Sequence, residues 1–404
     1  MNRSYSHPYW LDVPAITGSR EALPRGGSIV VIGSGLTGVS VAWWLRQHGF
    51  DDVLLLDHEP EAAASFRNAG HILYGTVESM KALVEIHGVE KAKALWGFSI
   101  EICEQVKHTV QALGAEVDYK QDGYLVISIN EAEDHECRES VRLLNALGYQ
   151  SDYVDAETVA GLGFRECFGA RYERGSAQAH PVKFRNAVLS DWLRQGGRYF
   201  SGVEVLSLED GADGVQVQTA RGMIQCDAVV VAANAYSPLF SDFFRSRRLV
   251  EPFRGQIITS KPLPYDFRVR YPHSFDHGYE YSLVTPDNRL LIGGWRNHSS
   301  TREVGTYSLE VNPFIEQGLK DFARRHYACG ESLEWEYSWS GIMAASQTGL
   351  PFIGATTSPR IYACCAYTGH GFSWAHGSAK LLADVMAGTP LPEVAQYFSP
   401  KALS

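Results

Sequence analysis

The chain has 404 residues, 45% of them hydrophobic and 20% charged, enough for two domains with substantial cores. A formal net charge of -10 disfavours nucleic acid as a partner, since phosphate binding needs clustered cations. No run reaches the roughly 18 apolar residues of a membrane span, and residues 1–26 lack an apolar signal core and read as a surface arm.

The first organised unit is a βαβ segment. The β-branched run 28–32 reads as a buried parallel strand; the turn Gly33-Ser34-Gly35-Leu36-Thr37-Gly38 follows, then a helix over 39–48 that stops at Gly49. A second buried strand, 53–56, ends at Asp57. Residues 77–113 carry apolar residues at helical spacing, 124–129 reads as a strand, and 131–147 as a helix. An amphipathic helix over 183–195 closes at Gly196-Gly197. Short strands are predicted at 203–208, 215–219 and 223–226, then a highly apolar one at 228–233, opened by Asp227 and ended at Asn234. The aromatic, Pro-rich stretch 250–339 reads as a mostly antiparallel sheet, with strands near 255–260, 279–284 and 289–294. The tail returns to α/β character: a strand at 361–366, the turn Thr368-Gly369-His370-Gly371, and a helix over 373–386. An α/β architecture follows: a Rossmann-type nucleotide-binding domain of three segments (27–80, 150–240 and 340–404) with an inserted, mostly antiparallel α+β substrate domain (81–149 and 241–339).

Seven cysteines (Cys103, Cys137, Cys167, Cys226, Cys329, Cys364, Cys365) include no C-x-x-C pair, and no histidine cluster completes a zinc pattern, so no metal site is expected. The odd, scattered count suits a reducing, cytoplasmic compartment. Cys364 and Cys365 sit in an apolar run and read as core residues.

Gly33, Gly35 and Gly38 match G-x-G-x-x-G between a strand and a helix. The first allows the tight turn, the second lets backbone approach a pyrophosphate, and the third lets helix and strand pack closely. The helix N-terminus offers N–H groups to phosphate. Asp57, 24 positions after Gly33, is placed to accept from a ribose diol. NAD and FAD share this motif, and three later segments favour FAD. The run Ala63-Ala64-Ser65-Phe66-Arg67-Asn68-Ala69-Gly70-His71 suits a loop lying along a pyrophosphate and reaching a flavin ring. The strand after Asp227 is built of small residues that permit close approach. The turn Thr368-Gly369-His370-Gly371-Phe372 opens a helix whose N-terminus, beside a flavin N1–C2=O edge, would stabilise the negative charge of the reduced ring.

Together with Arg254-Gly255-Gln256 and Arg289-Leu290-Leu291-Ile292-Gly293-Gly294, these residues resemble the D-amino-acid-oxidase-like family of FAD-dependent oxidoreductases over nearly the whole chain. The Ser-x-Arg-Asn-x-Gly loop and Tyr9-Trp10-Leu11-Asp12 look most like its gamma-glutamylputrescine oxidase branch. The resemblance implies a bilobal fold and hydride transfer from the carbon bearing an amine to flavin N5. It implies cofactor contacts at the glycine turn with Leu36 and Thr37, at Asp57 and His58, and along Ser65, Arg67, Asn68, Ala69, Gly70 and His71. Val203, Ala233, Gly341, Gly369, His370, Gly371 and Phe372 complete the expected set. No cysteine stands in the stretch where some members attach FAD, so FAD is expected to be non-covalent.

Departures narrow the chemistry. Sarcosine-oxidase relatives carry a lysine that promotes reaction with oxygen; its matching place is Leu291. Several amino-acid oxidases hold the substrate carboxylate with an arginine before Pro-x-Ile-Gly; the segment 339–354, ending Pro351-Phe352-Ile353-Gly354, has none. For contact with substrate the candidates are Tyr281 and Tyr279, two apart and so expected on one strand face, His71 at the end of the flavin loop, and Trp295 with Arg296 after the next strand. The aromatics from Tyr271 to Tyr281 supply either a cation–π pocket or sheet packing. The expected activity is oxidation of a C–N bond in a small primary or secondary amine, polyamine-like or an N-substituted amino acid, with O2 or a carrier as acceptor. Two alternatives stay open: an amino-acid or imino-acid dehydrogenase, and a flavin-binding subunit that needs a partner chain.

Overall fold

The computed structural model describes residues 6–263, 269 and 271–403. Its first sheet is built on β1 (Gly26–Ile32), which pairs in parallel with β2 (Val53–Asp57) on one side and with the strand Gly222–Val231 on the other. Arg198–Ser201 continues the parallel array beyond β2, and Ile361–Cys365 continues it beyond Gly222–Val231. Phe352–Ala355 closes that edge in antiparallel fashion. The two strands expected at 223–226 and 228–233 are one. The first half pairs with Gly214–Thr219 while the second runs beside β1, so nothing interrupts the ladder at Asp227.

The second sheet runs in the order Trp335–Ser346, Val250–Ser260, Leu290–Gly293, Glu280–Val284, His273–Phe275, Tyr124–Ser128, Gly169–Glu173, Asp152–Asp155. All its pairings are antiparallel except His273–Phe275 against Tyr124–Ser128. Alternate residues face opposite ways. Ile258, Val284 and Ile292 join one apolar cluster, while Ile257, Leu283 and Leu291 join another that holds Phe66, Ala69 and Trp339. The first face is covered by a helix absent from the expected elements, Pro313–His326, which buries Ile315, Leu319 and Phe322. Asn312 caps it by accepting from the Phe314 N–H.

Several expectations need correction. Strands Asp152–Asp155 and Gly169–Glu173 belong to the second sheet, although 150–240 was assigned to the nucleotide-binding domain. Residues 77–113 form two helices, Met80–His87 and Val89–Leu113, because Gly88 takes a φ of 79° between them. The second helix was expected in the substrate domain. It packs instead on Gly371–Ala387 of the first layer, closely enough that a Cβ on Gly377 would lie 2.3 Å from the Cβ of Ile102. The stretch 1–26 is not simply a surface arm. Residues 1–5 lie outside the described residues, but Trp10 is 2% exposed and packs against Phe66 and Ala69, and Gly26 already opens β1.

Candidate functional site

A cavity of about 830 Å3 is lined from both sheets. At one end stand Gly33, Gly35, Leu36, Thr37, Asp57, His58 and Val203. Gly33 turns the chain with a φ of 103°. Gly38 does not line the cavity: a Cβ there would sit 1.7 Å from the Gly33 carbonyl oxygen, so its role is helix–strand packing. The helix α1 (Leu36–Gln47) opens without a side-chain cap. Asp57 accepts from the Ser34 N–H, and its backbone carbonyl accepts from Val203. Burial pushes the Asp57 carboxyl up, while Ser34 and the Arg185 charge pull the other way.

Arg185 was not foreseen. Its guanidinium, fully buried, donates to the carbonyls of Ser34 (3.0 Å) and Ile16 (2.8 Å) and to the Ser34 hydroxyl (3.2 Å). A signal existed: Arg185 shares the apolar stripe of its helix Pro181–Arg194 with Val182, Val188, Leu189 and Trp192. A charge in such a stripe marks a buried polar network.

The loop 63–71 lies along the middle of the cavity, with Ser65, Arg67, Asn68, Ala69 and His71 in its wall. It is held by its own polar groups. Ser65 accepts from the Leu36 N–H at 2.7 Å, and Arg67 donates to the carbonyls of Glu61 (2.8 Å) and Ser340 (2.9 Å). Asn68 donates to Ala64 and Ser65 and accepts from Gly70. Gly70 faces away from the cavity; its φ of 77° turns the chain beside the Ala179 carbonyl. Gly341 brings the strand Trp335–Ser346 against Arg67, since a Cβ there would lie 2.8 Å from the Arg67 Cβ.

Further along, His71, Tyr124, Tyr279 and Tyr281 meet Ala233, Gly341, Gly369, His370, Gly371 and Phe372. His71 Nε2 donates to the Ser282 carbonyl at 3.0 Å, and its ring lies edge-on to Tyr124 and Tyr281. Burial pushes His71 down to about 3, and neighbouring His273 adds to this, so the ring is neutral. Burial likewise lowers His370 to about 4 and raises the Tyr281 phenol to about 12. The Nδ1 of His370 is buried without a partner, at the uncapped start of the helix Gly371–Ala387.

Two substrate-side expectations change. Trp295 turns its ring away from the cavity, onto Gly318 and Phe322 and stacked on His298 at 4.0 Å. The cause is backbone: Gly294 and Trp295 both take positive φ, 126° and 64°, so the alternation of the strand does not continue. Tyr279 precedes the strand Glu280–Val284 rather than sharing its face with Tyr281; its ring lies on the Arg296 guanidinium. Of the aromatics from Tyr271 to Tyr281, Tyr271 packs on Tyr172 and Phe275 on Phe322, while Tyr279 and Tyr281 line the cavity. Leu291 is buried under the loop 63–71 and does not line the cavity. Unforeseen wall residues are Ser128, Glu133, Glu136, Ser140, Arg171 and Glu173. Arg171 donates to the Ser140 hydroxyl and pairs with Glu173 at 2.8 Å. Charges two apart on one strand, as here, share a face.

The site suits FAD. Two helix N-termini whose own N-cap residues supply no side-chain cap meet one cavity, at the glycine turn and at Gly371, and a buried unpartnered imidazole nitrogen stands beside the second. The family model "FAD dependent oxidoreductase" matches residues 28–385, and the chain belongs to that family of flavoenzymes. Among curated relatives it is 26% identical over 372 residues to gamma-glutamylputrescine oxidoreductase of Escherichia coli, covering 89% of this chain and 83% of that protein. It is 25% identical to D-amino acid dehydrogenase of Sinorhizobium medicae, covering 90% and 96%. Among solved structures, glycine oxidase from Bacillus cereus superposes with a TM-score of 0.77 at 18% identity, covering 92% of this chain and 97% of that one. L-proline dehydrogenase from P. horikoshii gives 0.76 at 19%, covering 94% and 98%. The chain is therefore an FAD-dependent oxidoreductase. Among the described residues no helix is long and apolar enough to cross a membrane.

Proposed function

We propose that this enzyme oxidises a C–N bond of a small amine, polyamine-like or an N-substituted amino acid, and passes the electrons to O2 or a carrier. The glycine turn, Asp57, His58, the loop 63–71, Val203, Ala233, Gly341 and the Gly369-His370-Gly371-Phe372 turn are the residues that would hold FAD. Bound FAD supplies the two-electron acceptor, taking a hydride at N5 from the carbon that bears the amine.

The observation that carries the reading is the neutral wall. His71, Tyr281 and His370 line the same stretch of cavity, and burial keeps all three uncharged at neutral pH. None of them is a strong base, so their work is to bind a neutral amine, exclude water and orient it. Tyr281 offers a phenolic donor. His71, with Nε2 committed to Ser282, offers Nδ1 as an acceptor. The N-terminus of the helix Gly371–Ala387 brings positive partial charge to the cavity and would stabilise negative charge on a reduced ring held there. Glu133 and Glu136 in the far wall support a substrate with a cationic tail, while Glu173 beside them is paired with Arg171. Cys137 lines that wall too, but burial pushes its thiol up to about 11, which favours FAD held without a covalent bond.

Anaerobic mixing of the holoprotein with polyamines, N-methyl amino acids and D-amino acids tests the reading. Loss of flavin absorbance with one amine class is expected, and hydrogen peroxide on aeration would identify O2 as acceptor. A flavin that no amine reduces would overturn it.

A further inference from the structure

Three side chains outside the cavity wall meet between two turns of the second sheet. Asp276 lies in the turn between the strands His273–Phe275 and Glu280–Val284, Glu280 opens the second of these strands, and His298 ends the turn that follows Leu290–Gly293. Pairing of Tyr281 with Gly293 brings the two turns together. A carboxylate oxygen of Asp276, one of Glu280 and an imidazole nitrogen of His298 all lie within 4.8 Å of one another. Ligands on a single ion with bonds of about 2.1 Å stand about 3–4 Å apart, so small side-chain rotations close the set.

The group is short of donors and of positive charge. Glu280 is 1% exposed, and its Oε2 is buried without a hydrogen-bond partner among the described residues. Its Oε1 accepts from the Trp295 N–H at 3.2 Å. Burial pushes the Glu280 carboxyl up to about 8, and the like charges of Asp276 and Glu133 push the same way. Asn297 donates from Nδ2 to Asp276 Oδ2 at 2.8 Å, which leaves its own Oδ1, also buried without a partner, beside the cluster. Orphaned oxygens next to a buried acid are the surroundings a cation satisfies. The neighbouring trio of Glu133, Asp276 and His277 differs, because both Glu133 oxygens already accept, from Ile129 and Asn130. His298 is exposed and stacked on Trp295 at 4.0 Å, which provides an entry path and a fixed ring.

We propose that Asp276, Glu280 and His298 form a divalent metal site, with the Asn297 amide oxygen beside it. Two carboxylates with one imidazole suit Mn2+ or Zn2+ over Mg2+ and Ca2+, which prefer oxygen ligands alone. Bound metal ties the Asp276–Gly278 turn to the Arg296–His298 turn. His277, Gly278, Tyr279 and Arg296 in and beside those turns line the cavity, so the ion braces the substrate end of its wall. No spacing motif announces such a site, since its ligands come from separate segments that sheet pairing joins. It stands or falls independently of the amine-oxidising reading.

Holoprotein dialysed against EDTA and then titrated with Mn2+, Zn2+, Mg2+ and Ca2+ tests the site. Electron paramagnetic resonance counts free Mn2+, calorimetry follows the other ions, and the thermal midpoint is read with each. One equivalent of Mn2+ or Zn2+ is expected to bind at least about tenfold tighter than Mg2+ or Ca2+ and to raise the midpoint. His298→Ala, at an exposed position, should remove that preference with little change in the metal-free midpoint. Glu280→Gln should keep the metal-free midpoint near wild type, since a neutral amide replaces a carboxyl that burial keeps protonated, and should abolish the metal response. FAD content confirms folding; if Glu280→Gln does not load FAD, Asp276→Asn and His298→Ala decide. An EDTA-treated protein that no ion stabilises, or binding that survives both His298→Ala and Glu280→Gln, overturns the site. The first of these results would leave a proton on Glu280 as the occupant of the cluster.

Discussion

The indole N–H of Trp10 donates a 2.6 Å hydrogen bond to the carbonyl of Asn68, so a segment near the start of the chain straps the loop that runs along the cavity. The strap is anchored at both sides: Tyr9 donates to Asp287, and the Trp10 ring meets His180 edge-on at 4.8 Å.

Trp10→Ala should therefore destabilise the protein by about 3–5 kcal/mol, the range for truncating a buried aromatic, and weaken FAD retention through the loosened loop. Trp10→Phe keeps the packing and removes the hydrogen bond, for a loss of about 1 kcal/mol. Urea unfolding and flavin released on gel filtration check both. A Trp10→Ala protein that keeps its flavin and its midpoint would show that the strap is incidental.

Two glycines, Gly38 in the turn behind the cavity and Gly371 in its wall, should separate packing from ligand approach. Gly38→Ala forces a Cβ to 1.7 Å from the Gly33 carbonyl oxygen and should cost about 3 kcal/mol or more through displaced backbone. Gly371→Ala meets nothing closer than 3.6 Å, a Tyr367 ring carbon, so its apoprotein should melt near wild type. Any defect in Gly371→Ala should then appear in FAD affinity alone, read by fluorescence titration.

Asp57→Ala is expected to weaken FAD binding about tenfold to hundredfold, because a ribose hydroxyl would lose a charged acceptor. Removal of the buried cation is the contrasting case. Arg185→Met strands the Ser34 and Ile16 carbonyls and should cost about 3 kcal/mol in the apoprotein itself. Comparing apoprotein melting with FAD affinity for the two variants distinguishes a ligand contact from a scaffold.

Buried histidines predict a direction for acid stability. His273 lies between the Tyr271 carbonyl and the Tyr327 hydroxyl, and His376 between the hydroxyls of Thr109 and Ser40. Burial pushes them down to about 4 and about 3. In the unfolded chain a histidine titrates near 6.5, so below that pH the unfolded state binds more protons. Stability is then full above 6.5 and is lost as pH falls toward about 4, by roughly 2 kcal/mol per histidine at pH 5. Urea midpoints at pH 7.5 and pH 5 measure this, and His376→Gln should flatten part of the difference. A flat wild-type profile would contradict it.

The nucleotide end of the site was legible in the sequence because its information is local. A β-branched run, a glycine turn, a helix and an acid-terminated strand lie within Gly26–Asp57, and Gly38 answers a steric need set inside the turn itself, by the Gly33 carbonyl. The loop 63–71 was readable for the same reason: the Asn68 side chain binds the carbonyls of Ala64 and Ser65 and the N–H of Gly70, all within four residues. The helix Pro313–His326 was missed inside a stretch read as sheet on its aromatic and β-branched content, although Asn312 and Pro313 mark its start.

Tertiary structure decided what depends on partners far along the chain. Trp10 is buried only because residues 66–69 and His180 come to it. The strands Asp152–Asp155 and Gly169–Glu173 carry too weak a pattern to choose a sheet, and pairing with Tyr124–Ser128 chose it. Two successive positive φ angles after Leu290–Gly293 sent the Trp295 ring to Gly318 and left Arg296 facing the cavity. The order of apolar residues and glycines with Asp57 thus determined a dinucleotide-binding chain by itself, and the loop 63–71 and the turn 368–371 pointed it to FAD. The direction of side chains at the substrate end was decided by backbone turns and long-range register, which no short window of residues encodes.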